Sequence, residues 1–391
     1  MSLDERSAGR SAAEGRQYFL DWLRVTAFGL LIVYHTGMLY VPWDFHIKSP
    51  CILEWLTWPM VALNPWRLAL LFFISGVACR HLLDRQGPGA FLRGRALRLL
   101  PVLILGVLVI VPPQSYLELR QDGAIPPGFL RFWLQHYLAA DQSFGLILPT
   151  WNHLWFLPYL LVYVGLLSML DAALPGGIER LARGLLRRGL PALLVAVGLW
   201  FAASNVVALE FRPDTHALLD DWAAHLRWFG LFLAGALLAK SSVWNLLQAR
   251  RAELALAALG CLLAFLALRY GLRAGMAPEA WVRPIYGSAA GIFGWVVILA
   301  LCGLAKAWFD RPSPLLSYLN RAVLPLYALH QTLLILLAAV LFVCDLPVLV
   351  EAPLLFALTL AGCWVLYELA IRRSRVLAPL FGLDSRKGSE R

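Results

Sequence analysis

Charge is scarce in this sequence. Only 15% of its 391 residues are Asp, Glu, Lys or Arg, while 60% are hydrophobic. That balance excludes an ordinary soluble enzyme and points to a polytopic membrane protein. Cysteine is sparse and scattered too. The six cysteines make neither a CxxC pair nor a zinc spacing, so no metal site is indicated. Cys51 and Cys344 are the one pair considered for a disulfide; two free thiols are the plainer reading. No internal repeat is evident. A cleavable signal peptide is missing as well: the first apolar run is long, carries Asp21 and Arg24, and lacks a small-residue cleavage site. It is expected to remain as the first helix.

What the chain does have is a series of apolar stretches of about 20 residues, the length that spans a bilayer as helix. They predict an all-α bundle of about ten transmembrane helices, near 18–40, 60–82, 97–118, 151–171, 190–209, 223–240, 253–270, 285–305, 322–343 and 351–371. The expected organisation is an N-terminal tail (1–17), one membrane domain (18–371) and a basic C-terminal tail (372–391) lying against anionic lipid. Alternate connections and tails hold 25 of the 34 Lys and Arg residues, which by the positive-inside rule places both termini in the cytoplasm. The net charge of +10 thus reflects topology, and no nucleic-acid partner is expected. The longest polar connection, 119–150, carries the amphipathic stretch FLRFWLQHYL, read as an interfacial segment in preference to a lid.

His35 stands out within the first run, YFLDWLRVTAFGLLIVYHTGMLY. Arg24 precedes it by eleven positions, which brings the two side chains to within about 20° on a helix, and Asp21 shares the stripe. The rise of ~1.5 Å per residue separates Arg24 from His35 by roughly 16 Å, about half the hydrocarbon thickness. An ionisable group at such depth costs about 2.5–3.5 kcal/mol on insertion scales and commonly marks a pathway or a site. The competing reading is an interior stripe that only orders the bundle.

Three further stretches join it. GAFLRGRALRLLP crowds Arg93, Arg95 and Arg98 at one membrane surface; Arg95 and Arg98 share a helix face, and guanidinium forks suit phosphate. For any single arginine, topology-setting charge is the plainer account. TWNHLWFLPYLL sets Asn152 and His153 before Trp155; the interfacial belt explains the tryptophans, less well His153. NRAVLPLYALHQTLL places Tyr327 and His330 on one face of a helix that Pro325 should kink, where interhelical hydrogen bonding is the alternative to a functional role. The loop VPWDFHIKSP gathers Trp43, Asp44, His46 and Lys48 just beyond His35, a mixture that suits a sugar acceptor but also an ordinary exposed loop.

Arg24 with His35, FFISG (72–76), the Arg95/Arg98 pair, HLWFL (153–157) and YALHQ (327–331), in that order, resemble the acyltransferase-3 family of membrane acyltransferases. The resemblance covers nearly the whole membrane domain. The stretches around His35 and His330 look most like the branch that succinylates osmoregulated periplasmic glucans. The resemblance implies a multi-pass protein of a bacterial inner membrane, with no permanently bound cofactor and acyl-CoA (succinyl-CoA or acetyl-CoA) as donor substrate. Arg24, Arg95 and Arg98 would meet the donor's phosphates at the cytoplasmic face. Trp43, Asp44, His46, Asn152, His153 and Trp155 would face a periplasmic glucan or another glycan acceptor.

A neutral imidazole with a pKa of ~6.5 can take the proton of a sugar hydroxyl as it attacks a thioester. His35 is assigned that role, with an acyl-histidine intermediate left open. His330 and Tyr327 are assigned to oxyanion stabilisation or acceptor orientation. A succinyl group would also need a cation for its carboxylate, and Lys48 is one candidate. The alternatives are an acetyltransferase of another surface glycan, a glycan or lipid transporter without acyl transfer, and a non-catalytic assembly factor. The oligomeric state, a homo-oligomer included, stays open.

Overall fold

The computed structural model describes residues 17–211 and 215–383, so nearly all of the expected N-terminal tail and the end of the C-terminal one lie outside the described residues. Among the described residues the chain is helical, without strands. In order, the helices are α1 (Tyr18–Met38), α2 (Thr57–Gln86), α3 (Pro88–Leu105), α4 (Pro112–Gln121), α5 (Phe156–Ala173), α6 (Gly177–Leu186), α7 (Leu190–Phe211), α8 (Trp222–Leu238), α9 (Val243–Ala249), α10 (Arg251–Arg273), α11 (Glu279–Phe309), α12 (Pro314–Leu341) and α13 (Val348–Leu366). Against the expected ten, eight spans among the described residues are long and apolar enough to cross a membrane, and α8 with α9, bent by 95°, would make nine. The 21-residue α1 is not among them, because Asp21, Arg24 and His35 lower its hydropathy. It packs against four other helices, α2, α11, α12 and α13. Its polar stripe is therefore covered by protein.

The outer helices show the opposite character. Only 6% of the apolar window of α10 is buried, and Leu256, Leu259 and Leu263 stand exposed. In water such a surface would be an aggregation patch; against lipid it costs nothing.

Breaks in the helices follow from single residues. Gly87 leaves α2 at φ 73° and Pro88 opens α3, so the chain turns sharply and returns Arg95 and Arg98 toward the end of α1 that holds Arg24. Further on, α3 passes through a π-turn, Gly106–Ile110, into α4, which starts on Pro112 and Pro113. Neither proline has an N–H to give to the turn before it, so several carbonyls there need donors from elsewhere.

FFISG ends in Gly76, where α2 crosses α8. A Cβ there would collide with the Phe232 carbonyl oxygen, and a Cβ on Gly235 would collide with that of Phe73. The two glycines let the helix backbones touch, the small-residue packing common in membrane proteins. A Leu at Gly76 must push α8 away. We expect Gly76→Leu to lose the monodisperse peak in detergent size-exclusion chromatography, with a cost of about 1–3 kcal/mol or more. Gly165→Leu, where a Cβ meets open space, should elute like the parent protein.

Candidate active site

The stripe expected on α1 opens into one cavity of 470 Å³. That is within the roughly 300–1,000 Å³ of small-molecule sites. Arg24, Arg95, Arg98 and Asn320 line it at one end; Phe28, Leu31, Leu71, Ile74 and Leu99 form an apolar stem; His35, Arg67, His153 and Trp155 also line it.

At the arginine end, Arg24 Nη2 donates to Asp21 Oδ1 at 3.1 Å and to Asn320 Oδ1 at 2.6 Å, which fixes its fork on the cavity wall. Arg95 is half-buried, and its Nε has no hydrogen-bond partner among the described residues. Arg98 is exposed and joins them along the cavity.

Three histidines meet beyond the stem. His35 Nδ1 lies 2.9 Å from His330 Nε2, with the rings stacked at 5.1 Å and 6°. His330 is fully buried, and its Nδ1 lies 2.7 Å from the Tyr327 carbonyl oxygen. A carbonyl only accepts, so Nδ1 of His330 carries the proton and Nε2, in the neutral ring, accepts. His35 Nδ1 must then donate to it. That leaves His35 Nε2 unprotonated, and the His35 ring lines the cavity.

The third ring is committed differently. His153 Nε2 donates to the Ala328 carbonyl at 3.1 Å, and its Nδ1 accepts from Gln114 Nε2 at 3.2 Å. Gln114, fully buried, also donates to Thr332 Oγ1 at 2.6 Å and accepts at Oε1 from Asn152 Nδ2 and Gln331 Nε2, both at 3.1 Å. All its hydrogen-bonding capacity is used. Tyr327 gives its hydroxyl proton to the His153 carbonyl at 2.5 Å. So His153, His330 and Tyr327 hold one another, and His35 alone among these groups keeps a ring nitrogen without a partner among the described residues.

The π-turn delivers this arrangement. Gln114 N reaches the Val111 carbonyl, so the Ile110 carbonyl is left to accept from Thr332 Oγ1 at 2.8 Å, tying α12 to the turn. The Leu108 carbonyl accepts from Trp133 Nε1 at 2.9 Å and that of Val107 from the Tyr137 hydroxyl at 2.8 Å. Trp133 and Tyr137 belong to the stretch read from sequence as interfacial; here they also supply donors to a broken helix.

The remaining residues singled out from sequence lie nearby but off the cavity wall. Trp43 packs against Val61 and Phe293, Asp44 is exposed, and His46 pairs with Glu118 at 2.5 Å. Asn152 serves Gln114. Lys48 Nζ donates to the carbonyls of Met38, at 2.5 Å, Trp43, at 2.9 Å, and Val41, capping the end of α1. Burial lowers its pKa from the ordinary lysine value, partly offset by the Asp44 charge. With three carbonyls on its ammonium, Lys48 is occupied with the loop's own backbone. Cys51 and Cys344 are exposed, free thiols. No group of three or more His, Cys, Asp or Glu side chains converges as a metal site among the described residues.

Sequence reasoning missed Gln114, Thr332 and Arg67. For Arg67 a signal existed: it is an arginine well inside the second apolar span, the same kind of misfit that marked His35.

Comparison with known proteins agrees with the family expected from the motifs. The profile of the acyltransferase-3 family, described as an acyltransferase domain, matches residues 17–368. "Glucans biosynthesis protein C" of Salmonella paratyphi A is 23% identical over 333 residues, 81% of this chain and 82% of its own. The protein of that name from Salmonella agona is similar to the same extent. No solved structure gives a significant match.

Replacing Gln114 by Leu removes four hydrogen bonds at once, those to His153 Nδ1, Thr332 Oγ1, Asn152 Nδ2 and Gln331 Nε2. Each buried group left unsatisfied costs about 1–3 kcal/mol. We expect Gln114→Leu to lower the melting temperature in detergent far more than Gln331→Leu, which removes one bond of the set. Equal melting temperatures for the two variants would count against Gln114 as the hub.

Proposed function

The chain belongs to the acyltransferase-3 family, and from that premise we propose that it moves a succinyl group from succinyl-CoA to a hydroxyl of a periplasmic glucan across the bacterial inner membrane. The observation that carries the chemistry is the free Nε2 of His35, set as a base by a relay of hydrogen bonds that ends on the Tyr327 carbonyl. The donor would enter from the cytoplasmic face. Its phosphates would meet Arg24, Arg95 and Arg98, its pantetheine arm would lie along the apolar stem, and its thioester would arrive beside His35.

In the step itself the acceptor oxygen attacks the thioester carbonyl carbon while His35 Nε2 takes the hydroxyl proton. The imidazolium that forms is stabilised by the hydrogen bond its Nδ1–H donates to His330 Nε2, whose own Nδ1 proton is anchored on a carbonyl. The tetrahedral intermediate then expels the CoA thiolate. The proton on Nε2 returns to that sulfur, leaving an ester and free CoA thiol. His330 and Tyr327 act here as positioning residues: both are spent on His35, His153 and the helix backbone.

The acceptor would approach near Trp155 and His153, with the 41–50 loop over the other side, where Phe45 lies 6.1 Å from the His35 ring. A glucan is supported by the names of the similar proteins from Salmonella. The succinyl group is supported by the sequence resemblance around His35 and His330.

The test is acyl transfer by purified protein in nanodiscs, given succinyl-CoA or acetyl-CoA and a glucan acceptor. His35→Ala should fold and melt like the parent yet lose about 10²–10⁴-fold in turnover, the usual contribution of a general base. His330→Ala should lose less, because the base remains but its tautomer is no longer fixed. Undiminished turnover in His35→Ala would remove it from the mechanism. Transfer by wild type to neither donor's acceptor would remove the enzyme reading.

A further inference from the structure

Arg67 has no place in that mechanism, and its surroundings require one. It lies on α2 with 3% of its surface exposed. Its guanidinium carbon sits 3.5 Å from the centroid of the Tyr34 ring, next in sequence to His35. Nε and Nη1 are buried without a hydrogen-bond partner among the described residues. No ion pair is formed by its guanidinium among the described residues either; the carboxylates near the membrane surfaces are paired with other cations. A buried guanidinium with two idle donors is costly unless an anion arrives to use them. The side chain lines the same cavity as His35.

We propose that Arg67 is the binding site for a free carboxylate at the far end of the transferred acyl group, and so the residue that selects a dicarboxylic acyl donor over a neutral one. The proposal rests on the acyl-transfer reading above. Four points of chemistry favour this anion. The phosphates of the donor have their own arginines at the opposite end, on α1 and α3. A neutral glucan offers no charge. The developing thioester oxyanion is a single oxygen, whereas the planar guanidinium edge presents parallel donors that match both oxygens of a carboxylate. The face of Tyr34 holds that plane in place, so the fork is oriented before the ligand binds. Pro65, two residues earlier and also on the cavity wall, has no N–H to give to the preceding turn of α2.

An uncharged acyl chain would leave the guanidinium as it stands in this structure, against Tyr34 with Nε and Nη1 buried and unsatisfied. The penalty falls on the wrong donor, which is how a buried polar group enforces selectivity. Lys48, the other cation considered for this task, is already held by three carbonyls.

The experiment compares succinyl-CoA with butyryl-CoA, which has the same number of acyl carbons and no terminal charge. Purified wild type and Arg67→Met in nanodiscs are assayed for kcat/KM with each donor, with melting temperature as the check on folding. Wild type should prefer succinyl-CoA. Arg67→Met should lose about 100-fold with succinyl-CoA, the order expected when one partner of a buried charge pair is removed, and should keep or gain activity with butyryl-CoA. Equal loss with both donors would overturn the proposal in favour of oxyanion stabilisation. No loss with succinyl-CoA would overturn it outright. If Arg67→Met does not fold, wild type still decides: a preference for butyryl-CoA rejects the carboxylate site. Wild type that transfers neither acyl group rejects the acyl-transfer reading itself, an outcome distinct from a wrong role for Arg67.

Discussion

Hydrocarbon offers no hydrogen bonds, and every polar group in this bundle has to be read against that constraint. The broken α3–α4 segment is the clearest case. Two prolines and a π-turn strip the carbonyls near Leu108 and Ile110 of their usual donors. Trp133, Tyr137 and Thr332 supply replacements from two separate places in the chain. The break is thus also what holds the 133–137 segment and α12 in register with α4. Gln114, one turn beyond, continues the same logic with a side chain.

The constraint also separates structural polar residues from reactive ones. Satisfied groups are rigid and chemically quiet, since any proton they hold or accept is already engaged. His153 and His330 look like catalytic residues by type, yet each has both nitrogens occupied. His35 differs by a single nitrogen, and that nitrogen belongs to a ring on the cavity wall. Arg95 Nε and two nitrogens of the Arg67 guanidinium, buried without a hydrogen-bond partner among the described residues, belong to residues that line the same cavity as His35.

Much of this was legible in the sequence where the signal was local. Arg24 and His35 fall on one stripe by helical periodicity alone, and the structure places both on the cavity. The Arg95 and Arg98 pair is readable for the same reason. Tyr327 and His330 were found as neighbours on α12, but their hydrogen-bond partners were not, because those depend on who lies across the interface. Tyr327 answers to His153, which is 174 residues away. Gln114 was invisible: it follows two prolines near the end of an apolar run, and an amide there reads as a helix end meeting water. Its four partners come from α12 and the turn before α5, a convergence no spacing rule encodes. Among the described residues eight or nine spans pass on length and apolarity, and α1 stands outside that count because Asp21, Arg24 and His35, the residues that mark the site, lower its hydropathy.

The two ends of the cavity then make different demands on the fold. Arginines at a membrane surface can hydrate, so Arg98 can stay exposed and Arg24 can lean on Asp21 and Asn320 without much precision. Around His35 the neighbouring groups are fixed by one another's hydrogen bonds, which leaves little room to absorb a misplacement. The glycine contact between α2 and α8 sits between these regimes. It fixes α2, and with it Arg67, at a backbone separation that leaves no slack for adjustment. A helix held that closely can present a buried charge at a defined position, which a loosely packed one could not. The position of the buried guanidinium beside Tyr34 therefore follows from the same close packing that the FFISG motif encodes, and the motif links the fold to the chemistry without touching the substrate itself.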